Sequence, residues 1–161
     1  MIIELLQKNF GSEIIQISQE KDQVVVILRK DKCHDVLKFL KEDPTLDFSM
    51  MLDLCGVDFL KTKENPRFEV VYHLYSLTHH HRIRVRVQVP EEDMKVPTIT
   101  DLWRAADWFE RETWEMFGVE FVGHPHLKNL LLFDGFEGNP LRKDYPIAKR
   151  QKIPVAEGKL T

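Results

Sequence analysis

Residues 67–89 read RFEVVYHLYSLTHHHRIRVRVQV, and their patterning decides what kind of fold the rest of the chain must complete. Ile83, Val85, Val87 and Val89 alternate strictly with Arg82, Arg84, Arg86 and Gln88. Successive strand side chains point to opposite faces, so this spacing predicts a strand with one apolar and one wet face. Residues 67–78, rich in β-branched and aromatic side chains, supply its antiparallel partner. Closing the hairpin at residues 78–81 pairs Leu74 with Val85 and Tyr72 with Val87 on the core side. The same register sets Tyr75 beside Arg84 and His73 beside Arg86. Arg82, Arg84 and Arg86 then form a basic row with aromatic neighbours, either a solvated face that stacks on Tyr75 or a docking surface for an acidic partner. His79, His80 and His81 crowd the tip, but adjacent side chains on a turn cannot converge on one metal ion without backbone contortion.

Toward the N-terminus, Ile2, Leu5, Leu6 and Phe10 recur at helical spacing before Gly11. Residues 13–18 and 23–29 read as a hairpin across a polar turn. Asp31 is placed to cap a helix of about three turns in which Cys33, Val36, Leu37 and Leu40 share a face, and Pro44 ends it. Residues 48–59 are nearly continuously apolar and predict a strand buried on both faces. Asp53 and Asp58 interrupt it. They point to opposite faces and cannot act as an acid/base pair, so turn or hydrogen-bonding roles are expected.

Toward the C-terminus, Pro90 and Pro97 bracket an exposed connector. Thr98 and Asp101 resemble a capping box opening a helix whose apolar stripe is Leu102, Ala105, Ala106, Phe109, Met116 and Phe117. Asp107, Arg111 and Glu115 fall four residues apart, as in an ion-pair ladder, and Gly118 stops the helix. Glu110 and Glu112 lie about 200° apart around it and are no paired-carboxylate site. The following GVEFVGHPHLKNLLLFDGFEGNPLRKDYPI has too many Gly and Pro for a long regular element, yet is too apolar for a free linker. Such a segment must be pinned, against its own domain or on another protein. Residues 148–161 turn polar and basic without periodicity and alone should be mobile.

Composition narrows the functional classes. The chain has 161 residues, 43% apolar and 30% charged, and a formal net charge of −3. That suits one globular domain and gives no electrostatic reason to expect a nucleic-acid partner. The longest apolar run, residues 24–28, is far too short for a membrane span, and no signal-peptide pattern opens the chain. Cys33 and Cys55 are too few for an iron–sulfur cluster, and two buried thiols in a reducing compartment fit better than a disulfide. His124 and His126 flank Pro125 and offer two nitrogen ligands without a third. Glycine-rich phosphate loops, GxSxG and HExxH are absent from the sequence. A stand-alone metal or ligand-binding module built on the histidines therefore lacks a ligand set, and a self-sufficient oxidoreductase lacks a cofactor motif.

The run WFERETWEMFGVEFVGHP from residue 108, continuing through LKNLL from 127 and GNPLRKDYP from 138, resembles the signature of the C subunit of respiratory complex I. This is the 30 kDa subunit family, which also includes the J subunit of chloroplast-type NDH and homologous domains of membrane-bound hydrogenases. Within it, Glu110, Arg111, Glu112, Trp114, Phe117 and Gly118 match the signature helix. The chain departs from the pattern at Glu115, where Asp is common, at His126, Lys128 and Asn129, and at Asn139, where His is frequent; these swaps read as surface contacts.

The resemblance implies an α+β fold, a mixed sheet of about five strands packed against helices, with an extended irregular C-terminal segment. It assigns residues 1–120 to the α+β domain and 121–161 to a partner-binding tail, within one structural domain. It further implies a cofactor-free structural subunit with no catalytic residues of its own, in a proton-translocating NADH:quinone oxidoreductase whose other subunits use FMN, iron–sulfur clusters, NADH and quinone. The expected partners are the D-type subunit that shapes the quinone site and cluster-bearing neighbours. The expected place is peripheral, on the cytoplasmic side of the inner membrane, with membrane association through the complex. The expected interface residues are His124, Pro125, Phe136, Gly138, Pro140, Leu141, Arg142, Lys143, Asp144, Tyr145 and Pro146. Arg142, Lys143 and Asp144 would anchor the tail to the neighbour, and Leu141, Tyr145 and Pro146 would supply apolar contact. An equivalent subunit of a membrane-bound hydrogenase or ferredoxin-dependent relative is the alternative within the family, and a stand-alone metal- or ligand-binding module using His79–His81 or His124 and His126 is the alternative outside it.

Overall fold

A computed structural model describes residues 1–62 and 66–153; residues 154–161, part of the stretch expected to be mobile, lie outside the described residues. Helix α1 (Ile2–Phe10) leads into the hairpin β1 (Ile14–Glu20) and β2 (Gln23–Arg29). A 3-10 turn and α2 (Cys33–Glu42) cross to β3 (Met50–Asp58), followed by β4 (Phe68–Tyr75) and β5 (Arg82–Val89). Strand β6 (Lys95–Pro97), helix α3 (Ala106–Phe117) and β7 (Glu120–Val122) complete the regular structure. The main sheet runs β1-β2-β5-β4-β3, antiparallel except for the central β2–β5 pair, so the fold is α+β with a mixed five-stranded sheet. A separate short parallel pair joins β6 to β7.

The continuous VVVIL of β2 suits its central place, where both faces are covered. One face packs Val24, Val26, Leu28, Leu54, Val70, Tyr72, Leu74, Ile83, Val85 and Val87 into the core. Every helix adds its buried side to this same cluster: Leu6 from α1, Cys33, Val36, Leu37 and Leu40 from α2, and Ala106 from α3. Each buried aliphatic side chain contributes roughly 1.5–3 kcal/mol, so the one-sided arrangement concentrates the stabilisation between sheet and helices.

Several expectations are corrected. The β4–β5 hairpin pairs Tyr72 with Val85 and Leu74 with Ile83, and sets Tyr75, His73 and Val71 opposite Arg82, Arg84 and Arg86. The loop is wider than expected: Ser76 N–H donates to the His81 carbonyl at 3.0 Å, and His80 adopts φ +53°. The register slips by two, an even number, which leaves the faces unchanged. Strand β3 is an edge strand rather than one buried on both faces, and Met50 and Leu52 are exposed. Asp31 lies in the 3-10 turn and does not cap α2, whose N-cap is Lys32. Residues 98–105 form turns, so Thr98 and Asp101 make no capping box; Asp101 instead meets His34 Nε2 of α2 at 2.9 Å. Ala105 is exposed rather than part of the apolar stripe. Both cysteines are free, Cys33 buried and Cys55 half-buried.

Helix α3 lies directly on the edge strand because Gly56 leaves room for Phe117. A Cβ at residue 56 would sit 2.5 Å from the Phe117 ring. Gly56→Ala should therefore push α3 away from the sheet and cost roughly 1–3 kcal/mol in denaturant unfolding; unchanged stability would contradict this packing.

Candidate functional site

The irregular chain beyond α3 is held by two sets of polar contacts, one at the sheet edge and one along the helix. The β3–β4 hairpin sets the first. Asp58 ends β3, and Arg67 immediately precedes β4. The Arg67 guanidinium donates to both Asp58 carboxylate oxygens, at 3.0 Å from Nε and 2.9 Å from Nη2. Its remaining donors reach Glu91 at 2.6 Å and Asp144 at 2.9 and 3.1 Å. Arg142 bonds Glu91 at 3.1 Å, and the Lys143 backbone N–H donates to Asp58 at 2.8 Å. The Arg67 and Arg142 guanidinia lie 4.6 and 4.8 Å from the Phe68 ring centroid. Burial alone would raise the Asp58 carboxyl. The Arg67 guanidinium and the N–H groups of Lys143 and Leu60 outweigh it and hold the group at about 2. Arg67 likewise holds Asp144 below the usual carboxylate range.

The side chains of Arg142 and Asp144 and the backbone of Lys143 engage the chain's own domain, while Leu141 faces outward and is exposed.

Helix α3 supplies the second set. Arg111 donates to the carbonyls of Lys128 and Asn129 at 3.0 and 2.8 Å. Glu115 is buried and accepts the backbone N–H groups of Leu130, Leu131 and Leu132 at 2.5, 2.9 and 3.3 Å. A carboxylate facing three consecutive N–H groups satisfies donors that no secondary structure serves. Gly118 closes the helix at φ +84°, a conformation glycine adopts without strain, and the Asn139 amide donates to the Glu115 carbonyl at 2.9 Å. The Leu141 N–H then reaches the Met116 carbonyl at 3.1 Å. Asp107, Arg111 and Glu115 thus grip the following segment instead of forming a ladder with one another. Glu115 is consequently no surface position. Glu112 is exposed, whereas Trp114 and Phe117 pack against the core.

Glu110 faces the connector. It accepts the Thr98 hydroxyl at 2.5 Å and the Ile99 N–H at 2.7 Å, fixing the chain between β6 and α3. The buried His124 ring sits beside it. His124 Nδ1 accepts the His126 N–H at 3.0 Å, which leaves Nε2 to donate to the Asp107 backbone carbonyl at 3.3 Å, with the Asp107 and Glu110 carboxylates 3.3 and 4.0 Å away. Burial pushes the Glu110 carboxyl up to about 7 despite its two donors, with Asp101 and Asp107 adding to the rise.

The remaining sequence-identified residues divide between packing and exposure. Phe136 stacks on Tyr145 at 6.2 Å, and Gly138, at φ +88°, lets that tyrosine approach where a Cβ would stand 3.0 Å from the ring. Pro140 is half-buried; Pro125 and Pro146 are exposed. Leu131, Leu141, Ile147 and Ile153 project apolar surface outward from this segment, and Trp108 does so from α3. In the basic row Arg86 bonds the buried Glu69 at 2.7 Å, Arg84 lies 3.8 Å from Glu20, and Arg82 stacks on Tyr75 at 5.7 Å. His79 and His81 bond the carbonyls of Pro44 and Leu46 at 3.1 and 3.2 Å, while His80 lies 3.3 Å from the Tyr75 hydroxyl. Among the described residues no group of three or more His, Cys, Asp or Glu is arranged to hold a metal ion. No described helix is long and apolar enough to cross a membrane. Sequence reasoning missed Arg67 and Glu91. The available signal was an arginine at the mouth of a hairpin whose other strand ends in Asp58.

The family model "Respiratory-chain NADH dehydrogenase, 30 Kd subunit" matches residues 26–151. The chain is 41% identical over 150 residues to the NADH-quinone oxidoreductase C subunit of Roseiflexus sp. (strain RS-1), covering 93% of this chain and 85% of that one. It is 36% identical to the same-named protein of Geobacter sulfurreducens, covering 97% and 94%. Among solved structures, a trypsin-resistant fragment (1-134) of Nqo5 superposes with a TM-score of 0.68 at 33% identity, covering 78% of this chain and 98% of the fragment. A chain of the membrane-bound sulfane sulfur reductase, an archaeal respiratory membrane complex, superposes with a TM-score of 0.74 at 26% identity, covering 91% and 84%.

Two tests follow from the contacts. Trypsin should cut after Lys149, Arg150 or Lys152 before Arg142 or Lys143, and Arg67→Ala should abolish that delay in a mass-spectrometric time course; an unchanged delay would show that Arg67 does not pin the segment. Folded Asp58 sits below its unfolded value, so its contribution is present above about pH 4 and is lost as pH falls through about 2. Glu110 has the opposite sign: its contribution is full below about pH 4 and is lost as pH rises through about 7. Between about pH 4 and 7 wild-type stability should fall by roughly 3 kcal/mol on account of Glu110. Glu110→Gln should flatten that slope, and a variant retaining the full wild-type slope would refute the assignment.

Proposed function

Because this chain belongs to the 30 kDa subunit family of respiratory-chain NADH dehydrogenase, we propose that it is a structural subunit of the peripheral arm of a proton-translocating NADH:quinone oxidoreductase. It aligns its neighbours and contributes no reacting group. FMN and the iron–sulfur clusters reside on other polypeptides of the complex. Its partners are cluster-bearing neighbours and, chiefly, the D-type subunit at the quinone site. Electrons pass from NADH to quinone across distances fixed by such packing, on the cytoplasmic side of the inner membrane. The protein associates with that membrane through the complex.

The observation that carries this reading is the outer surface of residues 123–153. Polar groups there are bonded inward to Arg67, Arg111 and Glu115, while Leu131, Leu141, Ile147 and Ile153 are left exposed. An irregular segment held rigidly with its apolar side chains outward is a preorganised interface, because little ordering entropy remains to be lost on docking. The interface thus presents these apolar side chains among exposed charged ones such as Lys128, Lys143 and Lys149, with Pro125, Pro140 and Pro146 stiffening it and Phe136 stacked on Tyr145.

A second reading is favoured by the 0.74 TM-score superposition on a chain of the sulfane sulfur reductase. The same protein would then serve a hydrogenase-type or ferredoxin-dependent respiratory assembly with different redox partners. The 41% identity to an NADH-quinone oxidoreductase chain favours the first reading.

Leu141→Asp combined with Ile147→Asp tests the interface. Both residues are exposed, so the chain should melt as wild type, whereas its recovery with the other subunits should fall at least about tenfold. Recovery at wild-type levels would contradict the proposed interface.

A further inference from the structure

The face of the sheet opposite the helices has no part in the core cluster. Val25, Ile27 and Val71 are buried there outside that cluster, beneath Arg84 and Arg86. Toward the hairpin end the same face opens and mixes exposed apolar side chains with charged ones. Met50 lies opposite Tyr75, and Tyr75 lies opposite Arg82, which stacks on its ring. Leu52 emerges at the bulge in β3, where the register shifts between Met51 and Asp53. Met50 and Leu52 are 43% and 39% exposed, high for large apolar side chains on a strand. Beside them is a hollow of about 340 Å³ lined by Leu52, Asp53, His73, Arg82 and Arg84.

The charges on this face are unequally satisfied. Arg86 is committed to Glu69 at 2.7 Å. Arg84 has Glu20 only at 3.8 Å, beyond hydrogen-bonding distance. Arg82 has no carboxylate in ion-pair range among the described residues, although the chain as a whole is acidic. Two incompletely paired guanidinia, one held flat on a tyrosine, beside exposed Met and Leu side chains, are the residue types that dominate protein interfaces. A guanidinium fork selects a carboxylate, and the exposed Met50 and Leu52 beside it offer contact to an apolar side chain.

We propose that this end of the open sheet face, around Leu52, Tyr75, Arg82 and Arg84, docks a segment of another polypeptide of the assembly that carries a carboxylate next to an apolar side chain. It is separate from the interface of residues 123–153 and rests on the proposed function only in requiring a partner polypeptide. Arg82 and Arg84 set its orientation; Leu52 and Met50 supply the contact area.

A photo-crosslinking residue at Leu52, in the full chain assembled with its partners and purified, identifies the occupant. The crosslinked peptide should belong to another member of the complex and contain Asp or Glu within a few residues of the attachment point. Arg82→Glu with Arg84→Glu should lower recovery of the complex at least about tenfold, without lowering the melting temperature of the free chain. Changing the captured acidic residue to Lys should restore recovery. Absence of a crosslink to protein, capture of a peptide without an acid, or normal assembly of the charge-reversed chain would each overturn the proposal. So would binding to phosphatidylglycerol vesicles that the same reversal abolishes, since the face would then recognise lipid. If the sheet-face variant assembles normally while Leu141→Asp with Ile147→Asp does not, this proposal fails and the proposed function stands. If neither variant matters, both fail.

Discussion

The path of residues 142–144 along the sheet edge depends on the buried ion pair between Arg67 and Asp58. A guanidinium and a carboxylate removed from water are costly unless nearly every donor and acceptor finds a partner. Here the requirement draws in additional chain: Glu91 from the connector after β5, and Asp144 and the Lys143 N–H from the C-terminal segment. A single arginine at the mouth of one hairpin thereby joins segments 77 residues apart in sequence. Phe68, between the two guanidinia, gives the cluster an apolar floor. The cluster acts as a clamp whose centre, Arg67 and Asp58, is buried while Glu91 and Asp144 remain about half exposed at its rim.

Helix α3 follows the same logic on a longer scale. Its apolar side closes the core over β3 through Gly56, and its other side offers Asp107, Glu110, Arg111 and Glu115 to segments that lack secondary structure. Backbone groups in irregular chain still require partners, and here side chains provide them in place of a sheet or helix ladder. The result is an extended segment with a defined path and exposed apolar side chains. Such a surface suits a protein whose task is to fix the separation of its neighbours.

The main elements were legible where one periodicity dominated. The strict alternation of β5, the VVVIL of β2 and the helical face of Cys33, Val36, Leu37 and Leu40 each matched the structure. The β4–β5 register was missed because the loop geometry around His80 is set by contacts to residues 44 and 46, invisible to local patterning. Asp107, Arg111 and Glu115 misled for a related reason: their spacing also fits a surface ladder, and only the path of residues 124–132 decides between the two. Composition indicated that the C-terminal segment must be pinned. It could not indicate Arg67 as the pin, because pairing between β3 and β4 is what brings residues 58 and 67 together. The intramolecular contacts of Arg142, Lys143 and Asp144 were accordingly illegible in the sequence, whereas the outward apolar side chains were already visible in its composition.

The proposed role of this chain is that of a packing element in a respiratory assembly. Purification of the native assembly through a tag on this chain, with identification and quantification of every co-purifying polypeptide, tests it most directly. Stoichiometric recovery of a quinone-site subunit and cluster-bearing partners is expected, with NADH:quinone oxidoreductase activity in the same fraction. A monomer recovered without cluster-bearing partners would contradict it.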